Sequence, residues 1–172
     1  MTEYRFNFAT IADVPALAAL IERAYRGPEA AKGWTNESEI LTGPRSSPDE
    51  IATLIRDREA RFVTARDGAR IAACALVMKE VGGAYFGMFA IDPDLQGGGL
   101  GKLMMAHSEE AARVLWGSKS MRLTVISLRA KLIEWYERRG YVRTGESEPF
   151  PFDTAAGALR TDFDLTVLRK KI

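Results

Sequence analysis

The stretch FAIDPDLQGGGLGKLMM, Phe89–Met105, decides the fold because it joins an apolar segment, a turn and a second apolar segment of helical pattern. Asp92-Pro93-Asp94 ends the first segment, and four of the five residues from 97 to 101 are glycine. Glycine loses much backbone entropy on folding, so this cluster before a helix needs a compensating interaction. Free N–H groups and the dipole at a helix N-terminus bind anions. The stretch predicts a strand, a phosphate-binding loop and a helix.

Length and composition restrict the class of protein. The chain has 172 residues, of which 47% are hydrophobic and 27% charged, and its formal net charge is +1. These values predict one domain spanning residues 1–172 and give no electrostatic case for binding nucleic acid or an anionic membrane. Cys74 is the single cysteine, no apolar run reaches about 20 residues, and the N-terminal stretch lacks a signal-peptide pattern. We therefore expect a cytoplasmic protein without a membrane span.

The hydrophobic pattern predicts an α/β protein with one mixed sheet and helices packed on it. The expected order of elements is β-α-α-β-β-β-α-β-α-β-β. Thr10–Asp13 has the spacing of a capping box, Asp67-Gly68 predicts a hairpin turn, and Gly140 ends the last helix. Two segments, residues 27–45 and 147–159, are irregular, and such long connections often carry function.

Three phosphate-binding patterns can be compared with the glycine loop. A Walker A loop fails twice, because Gln96 stands where its first glycine belongs and Leu103 stands where Ser or Thr should follow the lysine. A dinucleotide fingerprint meets Lys102 or Met104 at its third glycine, and the alternating strands and helices around it are missing. The run Gln96–Gly101 fits a third pattern, Gln-x-x-Gly-x-Gly.

With this loop the chain resembles the GNAT superfamily of acyl-CoA-dependent N-acetyltransferases, whose pyrophosphate loop reads Gln/Arg-x-x-Gly-x-Gly/Ala. Ile91-Asp92-Pro93 stands where the family usually has V-x-P, and WYERRGYVRTGE contains its second signature at Tyr136, Gly140 and Tyr141. The resemblance covers nearly the whole chain. It implies the GNAT fold, acetyl-CoA as co-substrate, no metal, and direct transfer of an acetyl group to a primary amine of a small molecule in a ternary complex. Homodimers are common in the family.

The resemblance also assigns roles to residues of this chain. Pantetheine is expected along the fourth strand at the backbone of Phe89 and Ile91, where an N–H near Ala90 would polarise the thioester carbonyl. Tyr136 is expected to donate a proton or a hydrogen bond to the departing thiolate. Arg129 stands where the family often has Asn, and we expect it to contact a CoA phosphate. The loop expected to hold the pyrophosphate consists of Gln96, Gly97, Gly98, Gly99, Leu100, Gly101 and Lys102.

One departure from the family concerns charge on the loop. Gly97 and Gly98 stand where relatives often carry Arg or Lys, so we expect the motif to demand only Gly99 and Gly101. Backbone N–H groups must then hold most of the pyrophosphate, and Lys102 supplies positive charge.

A second departure concerns the general base. The family often has a Glu on the fourth strand, but GGAYFGMFAI contains no carboxylate. Glu37, Glu80, Glu148 and an ordered water stay open as alternatives. The acceptor pocket is expected between the two irregular segments, with Glu37 attracting a cationic amine and with walls formed by Trp34, Phe150 and Phe152.

Two other functions stay open at this point. The missing carboxylate is compatible with an acyl-CoA-binding sensor or regulatory module that has no catalytic activity. The acceptor can also be a protein, modified at a lysine or at its N-terminus. His107 is the single histidine and lies on the apolar stripe of the third predicted helix, so we expect a core histidine rather than a catalytic base.

Overall fold

A computed structural model describes residues 3–153 and 157–172 and contains a mixed seven-stranded sheet. The α-helices in these residues are α1 (Val14–Tyr25), α2 (Pro48–Arg56), α3 (Leu100–Trp116) and α4 (Ala130–Glu137). The strands are β1 (Arg5–Phe8), β2 (Ala60–Asp67), β3 (Arg70–Glu80), β4 (Gly83–Ile91), β5 (Ser120–Ile126), β6 (Val142–Glu148) and β7 (Leu165–Lys171). The predicted fold class and order of elements are confirmed.

Local sequence explains where several of these elements begin and end. The Thr10 N–H donates to the Asp13 carboxylate at 2.8 Å, which fixes the turn that leads into α1. Ser47 Oγ accepts from the Glu50 N–H at 3.1 Å and so caps α2. Gly140 follows α4 with a φ of +91°, a conformation that favours glycine because a Cβ atom would be strained there.

The core lies in two layers on opposite faces of the sheet. Alternate residues of β3 point to opposite layers, as the pleat of a strand requires. Ala73, Ala75 and Val77 belong to the layer that α3 covers. Cys74 and Leu76 belong to the layer that α1 and α2 cover. This double burial explains why β3 is apolar at nearly every position.

The neighbours β4 and β5 separate soon after they meet. They are parallel and pair at only two positions, Ala84 with Met121 and Tyr85 with Arg122. Both strands then continue without pairing to each other, and β5 pairs along its whole length with β7. The sheet order is β1-β2-β3-β4-β5-β7-β6, so this separation opens a cleft between its fourth and fifth strands.

The two irregular segments meet beside the cleft. Leu41, in the first segment, forms an isolated antiparallel bridge with Ala158, in the second. A small apolar cluster lies beneath them and includes the end of β5, with the members Leu41, Ile126, Phe150, Phe152 and Phe163. The segments are therefore anchored to the sheet rather than free of it. No helix in the described residues is both long and apolar enough to cross a membrane.

His107 is not a core residue, so that expectation is wrong. Its side chain is exposed on α3. The imidazole stacks on the Phe6 ring, with the ring centroids 3.7 Å apart and an angle of 15° between the planes.

Candidate active site

A bulge interrupts β4 inside the cleft. Cys74 pairs with Ala90, but Leu76 pairs with Gly87, so β4 has one residue more than β3 between these pairs. Met88, within the bulge, has a φ of +43°. Residues other than glycine seldom adopt this conformation, and both bulges and such strained residues are frequent at functional sites.

The strand register decides which backbone groups of β4 face the cleft. The Asp92 N–H donates to the Ala72 carbonyl at 2.9 Å, and hydrogen-bonded pairs alternate with non-hydrogen-bonded pairs along an antiparallel ladder. Ala90 therefore turns its N–H and C=O toward β3, whereas Phe89 and Ile91 turn theirs away from it. The N–H that is predicted to polarise the thioester carbonyl is therefore that of Phe89 or Ile91, rather than that of Ala90 itself.

The carbonyl groups of Phe89 and Ile91 already have one partner each. The Tyr25 hydroxyl donates to the Phe89 carbonyl at 2.7 Å, and Gln96 Nε2 donates to the Ile91 carbonyl at 3.2 Å. Burial raises the pKa of Tyr25, so its hydroxyl stays protonated and remains a donor. The sequence analysis missed Tyr25, because its position on the apolar face of α1 indicates core packing alone.

The cleft opens into a first cavity of about 500 Å³. The strands β4 and β5 contribute to its lining, and so do both irregular segments. Its polar and ionisable lining residues include Tyr25, Glu37, Arg45, Tyr85, Arg129 and Tyr136.

Tyr136 lies in the lining of this first cavity, as expected for a residue that acts on a substrate there. Its ring packs nearly perpendicular to the rings of Trp135, Phe86 and Tyr141, which fixes its orientation. Burial raises the pKa of the Tyr136 hydroxyl, so the side chain is protonated at neutral pH. Such a group can donate a proton and is unsuited to act as a general base.

The three glutamates considered as general base are all engaged in ion pairs. Of these three glutamates, only Glu37 lines the first cavity. Its carboxylate accepts a hydrogen bond from the Arg26 guanidinium at 3.0 Å. Glu80 and Glu148 both pair with Arg122. None of the three presents a free carboxylate to the cavity, so an ordered water is the alternative that the arrangement favours.

A second cavity of about 240 Å³ lies where the glycine loop meets α3. Phe89 and Leu132 line both cavities, so one ligand can extend from the loop into the cleft. The N–H groups of Gly97, Gly98 and Gly99 have no acceptor within residues 3–153 and 157–172. Those of Leu100 and Gly101 begin α3, where no preceding turn supplies a carbonyl. The loop therefore offers the unpaired N–H groups that a pyrophosphate needs.

Backbone conformation requires glycine at positions 97 and 99, and position 101 is crowded, which corrects the expectation for Gly97. Gly97 and Gly99 have φ values of +90° and +85°, so a side chain at either position is strained. A Cβ atom on Gly101 would lie 3.0 Å from the Trp135 ring. A Cβ atom on Gly98 would meet only the Leu95 carbonyl, at 3.9 Å. Only Gly98 is dispensable on steric grounds.

Gln96 connects the loop to the first irregular segment. Its Oε1 accepts from the Trp34 N–H at 2.7 Å, while its Nε2 binds the Ile91 carbonyl. The Trp34 carbonyl in turn accepts a hydrogen bond from the Arg129 guanidinium. The Trp34 backbone thus bridges from the glycine loop to the start of α4. These contacts occupy the Gln96 side chain. Only the Gln96 backbone therefore remains for the predicted contact with pyrophosphate.

The positive side chains at the second cavity are Lys102 and Arg139. The Arg139 guanidinium lies 3.4 Å from the centre of the Trp135 ring and donates to the Trp135 carbonyl at 2.7 Å. Arg129 lines the first cavity instead, and its contact with a CoA phosphate stays a prediction. The i, i+4 spacing of Trp135 and Arg139 is the sequence signal that could have identified Arg139.

The aromatic residues expected to wall the acceptor pocket separate into three locations. Phe150 lines the first cavity, whereas Trp34 lines the second. Phe152 packs against Phe150 and Phe163 in the apolar cluster.

Among the described residues no group of three or more His, Cys, Asp or Glu side chains is arranged to hold a metal ion.

Comparison with known proteins relates this geometry to a family. Residues 19–141, more than half of the chain, match the family described as "Acetyltransferase (GNAT) family". No protein among those with curated descriptions matches the chain.

Solved structures share the fold at low sequence identity. The ribosomal-protein-S18-alanine N-acetyltransferase from Escherichia coli superposes with a TM-score of 0.72 at 18% identity, covering 99% of this chain and 94% of that one. The structure of yncA from Salmonella typhimurium with its cofactor acetyl-CoA gives 0.72 at 17% identity, covering 98% and 94%. A spermidine N-acetyltransferase SpeG mutant from Vibrio cholerae gives 0.70 at 16% identity, covering 99% and 95%.

Proposed function

The chain belongs to the GNAT acetyltransferase family, and on that premise we propose that it transfers an acetyl group from acetyl-CoA to a primary amine of a small molecule. The observation that carries the proposal is the junction of the two cavities at Phe89. A nucleotide-bearing thioester at the loop and an amine in the first cavity can meet there. Direct attack in a ternary complex follows from this arrangement, because both substrates reach one point of β4.

The loop and the cleft fit acetyl-CoA, which supplies the acetyl group as a thioester. The unpaired N–H groups of residues 97–101 bind the pyrophosphate, and Lys102 and Arg139 add positive charge. A Cβ atom on Gly101 would lie 3.0 Å from the Trp135 ring, so the start of α3 lies close against α4. The outward backbone groups of Phe89 and Ile91 bind the pantetheine amides.

Two groups of this chain and a water divide the chemical work. The N–H of Phe89 or Ile91 stabilises the negative charge that develops on the carbonyl oxygen. The amine nitrogen bonds to the carbonyl carbon as the carbon–sulfur bond breaks, and Tyr136 gives its proton to the departing sulfur. A water in the first cavity accepts the proton from the amine, because Glu37 is held by Arg26.

The first cavity favours a small molecule over a protein as acceptor. Its volume of about 500 Å³ lies within the ordinary range for small-ligand sites, and parts of both irregular segments line it. A protein acceptor would require an open groove beside β4 instead.

The buried thiol of Cys74 is free, which supports a cytoplasmic protein.

Release of free thiol tests this function directly. The protein is incubated with acetyl-CoA and a panel of primary amines, and the acetylated product is identified by mass spectrometry. We expect thiol release that depends on at least one small amine. Tight CoA binding without thiol release from any amine would instead support a non-catalytic sensor, the function favoured by the engaged state of all three candidate glutamates. Release with peptides alone would support a protein acceptor.

A further inference from the structure

The first cavity contains an arginine whose guanidinium forms no close ion pair within the part of the chain that the structure describes. Arg45 lines the cavity and is partly buried. No carboxylate oxygen within residues 3–153 and 157–172 lies within 4.0 Å of its guanidinium. The guanidinium instead lies 5.0 Å from the centre of the Tyr25 ring. The Arg45 backbone N–H donates to the Glu22 carboxylate at 3.0 Å, which anchors this part of the segment to α1.

The charges around Arg45 do not suit a cationic acceptor. Glu37, the carboxylate expected to attract such an amine, accepts from Arg26 and lies 4.0 Å from Arg129. Glu50 is the other described carboxylate in the lining, and its side chain lies on the exposed first turn of α2. Arg26, Arg45 and Arg129 line the cavity, and Arg45 is the one of these three without a carboxylate of the described residues within 4.0 Å.

Tyr25 connects this charge to the point where acetyl transfer is proposed. Its ring faces Arg45, and its hydroxyl donates to the Phe89 carbonyl at 2.7 Å. The Arg45 guanidinium is therefore separated by about the length of one tyrosine side chain from the Phe89 backbone, where the thioester is proposed to bind. A small ligand can occupy both places at once. The hydroxyl-bearing residues Ser46 and Ser47 line the cavity next to Arg45 and can add hydrogen bonds to an anion.

We propose that Arg45 binds the carboxylate of an amino acid acceptor, whose amino group then reaches the thioester at Phe89. The inference rests on the proposed function and names its substrate class. A planar guanidinium can donate two parallel hydrogen bonds to a carboxylate, and the guanidinium of Arg45 lies over the Tyr25 ring at 5.0 Å from its centre. Arg45 is accordingly the residue that selects amino acids over neutral and cationic amines.

The test compares amino acids with their amides, which lack the negative charge. Rates of thiol release are measured for α-amino acids, for amino acids with longer spacing between amine and carboxylate, for the matched amides, for aminoalkyl phosphates and for diamines. We expect kcat/KM for the best amino acid to exceed that for its amide by about tenfold to a hundredfold, as for a hydrogen bond to a charged group. Equal rates for acid and amide, or a preference for phosphates or diamines, would overturn the proposal.

Variants of Arg45 separate binding of the carboxylate from folding. Arg45→Gln should lower kcat/KM for the acid far more than for the amide and so remove the preference, while Arg45→Lys should retain part of it. CoA affinity and melting temperature report on folding. An equal loss for acid and amide in Arg45→Gln would contradict the assignment.

A binding measurement distinguishes failure of this inference from failure of the proposed function. Calorimetric titration of amino acids into the CoA complex should give a dissociation constant that Arg45→Gln weakens about tenfold or more. Such binding without thiol release would reject the transferase and keep the carboxylate site. Thiol release from amino acids at a rate that Arg45→Gln leaves unchanged would keep the transferase and reject the site.

Discussion

The Trp34 N–H donates a hydrogen bond to Gln96 Oε1 at 2.7 Å, although the two residues are 62 positions apart in the chain. The contact brings the Gly33 backbone close to the Gln96 side chain, because a Cβ atom on Gly33 would lie 2.8 Å from Gln96 Nε2. The side chain of the loop motif therefore organises the first irregular segment around the cleft.

Removal of the Gln96 amide should weaken CoA binding without abolishing it. Gln96→Ala loses the bonds to Trp34 and Ile91, so we expect the CoA dissociation constant to rise about fivefold to tenfold, as for one net hydrogen bond. Gln96→Glu keeps the acceptor for Trp34 but sets a carboxylate against the Ile91 carbonyl and beside the proposed pyrophosphate, so it should show a larger loss. Calorimetry measures both, and unchanged affinity in the alanine variant would show that the contact is dispensable.

The neighbouring positions 97 and 98 should respond in opposite ways to a new side chain. Gly98→Arg places a guanidinium beside the proposed pyrophosphate, and an added exposed ion pair of about 1 kcal/mol corresponds to about fivefold tighter CoA binding. Gly97→Arg introduces the same charge at a φ of +90° and should weaken binding. CoA titration at low and high salt checks both. Equal behaviour of the two variants would contradict the loop geometry.

Removal of the Tyr136 hydroxyl should affect catalysis far more than binding. If Tyr136 supplies the proton to sulfur, Tyr136→Phe lowers kcat by about a hundredfold to ten thousandfold. The ring contacts with Phe86, Trp135 and Tyr141 persist in the variant, so CoA affinity should stay the same. Stopped-flow thiol detection and CoA calorimetry provide the two readouts. A rate within threefold of wild type would remove Tyr136 from the chemistry.

The strain at Met88 should make this position sensitive to side-chain branching. Met88→Leu and Met88→Ile introduce isomeric side chains, yet only isoleucine is branched at Cβ, where a φ of +43° creates crowding. We expect the isoleucine variant to unfold with about 1–2 kcal/mol less free energy than the leucine variant. Urea denaturation measures the difference. Equal stabilities would show that the bulge is relaxed.

Asp92 should make the stability of the protein depend on pH in the acid range. Burial alone would raise its pKa, but hydrogen bonds from the Arg70 guanidinium and the Asp94 N–H, with the charge of Arg23, lower it instead. A pKa below the unfolded value of about 3.9 means that the ionised carboxylate stabilises the fold above that pH. The contribution is lost as the pH falls through the folded pKa.

Asp92→Asn should therefore unfold with about 2 kcal/mol less free energy at neutral pH, and this deficit should shrink toward pH 3. Urea denaturation between pH 3 and pH 7 measures the trend. Asp67→Asn, in the exposed hairpin between β2 and β3, is the matched control and should leave the profile unchanged. A deficit for Asp92→Asn that stays constant with pH would exclude ionisation as its cause.

The order of elements and the place of the loop could be predicted because both depend on local signals. The period of apolar residues identifies strands and helices, and caps such as Ser47 and Gly140 fix their ends. The need for glycine at 97 rather than 98 could not be predicted, because the motif constrains the residue type and does not determine each φ value.

Pairing between distant side chains limited the prediction of the site. Glu37 appeared free in the sequence, but Arg26 and Arg129 meet it only after the first irregular segment folds against α1 and α4. The bulge at Met88 depends on the register between β3 and β4 and has no local signature. The expectation for His107 was based on the apolar stripe of α3. This stripe extends to the edge of the packed face, where the Phe6 ring covers one side of the imidazole.

The short pairing between β4 and β5 also affects how the molecule holds together. The sheet consists of one hydrogen-bonded half with strands β1 to β4 and another with β5, β7 and β6, and two residue pairs join the halves within the ladder. A ligand seated between the separated strands would contact both halves where the protein's own backbone joins them least. Occupancy of the cleft would then raise the free energy of unfolding of the whole sheet, including strands that the ligand never touches.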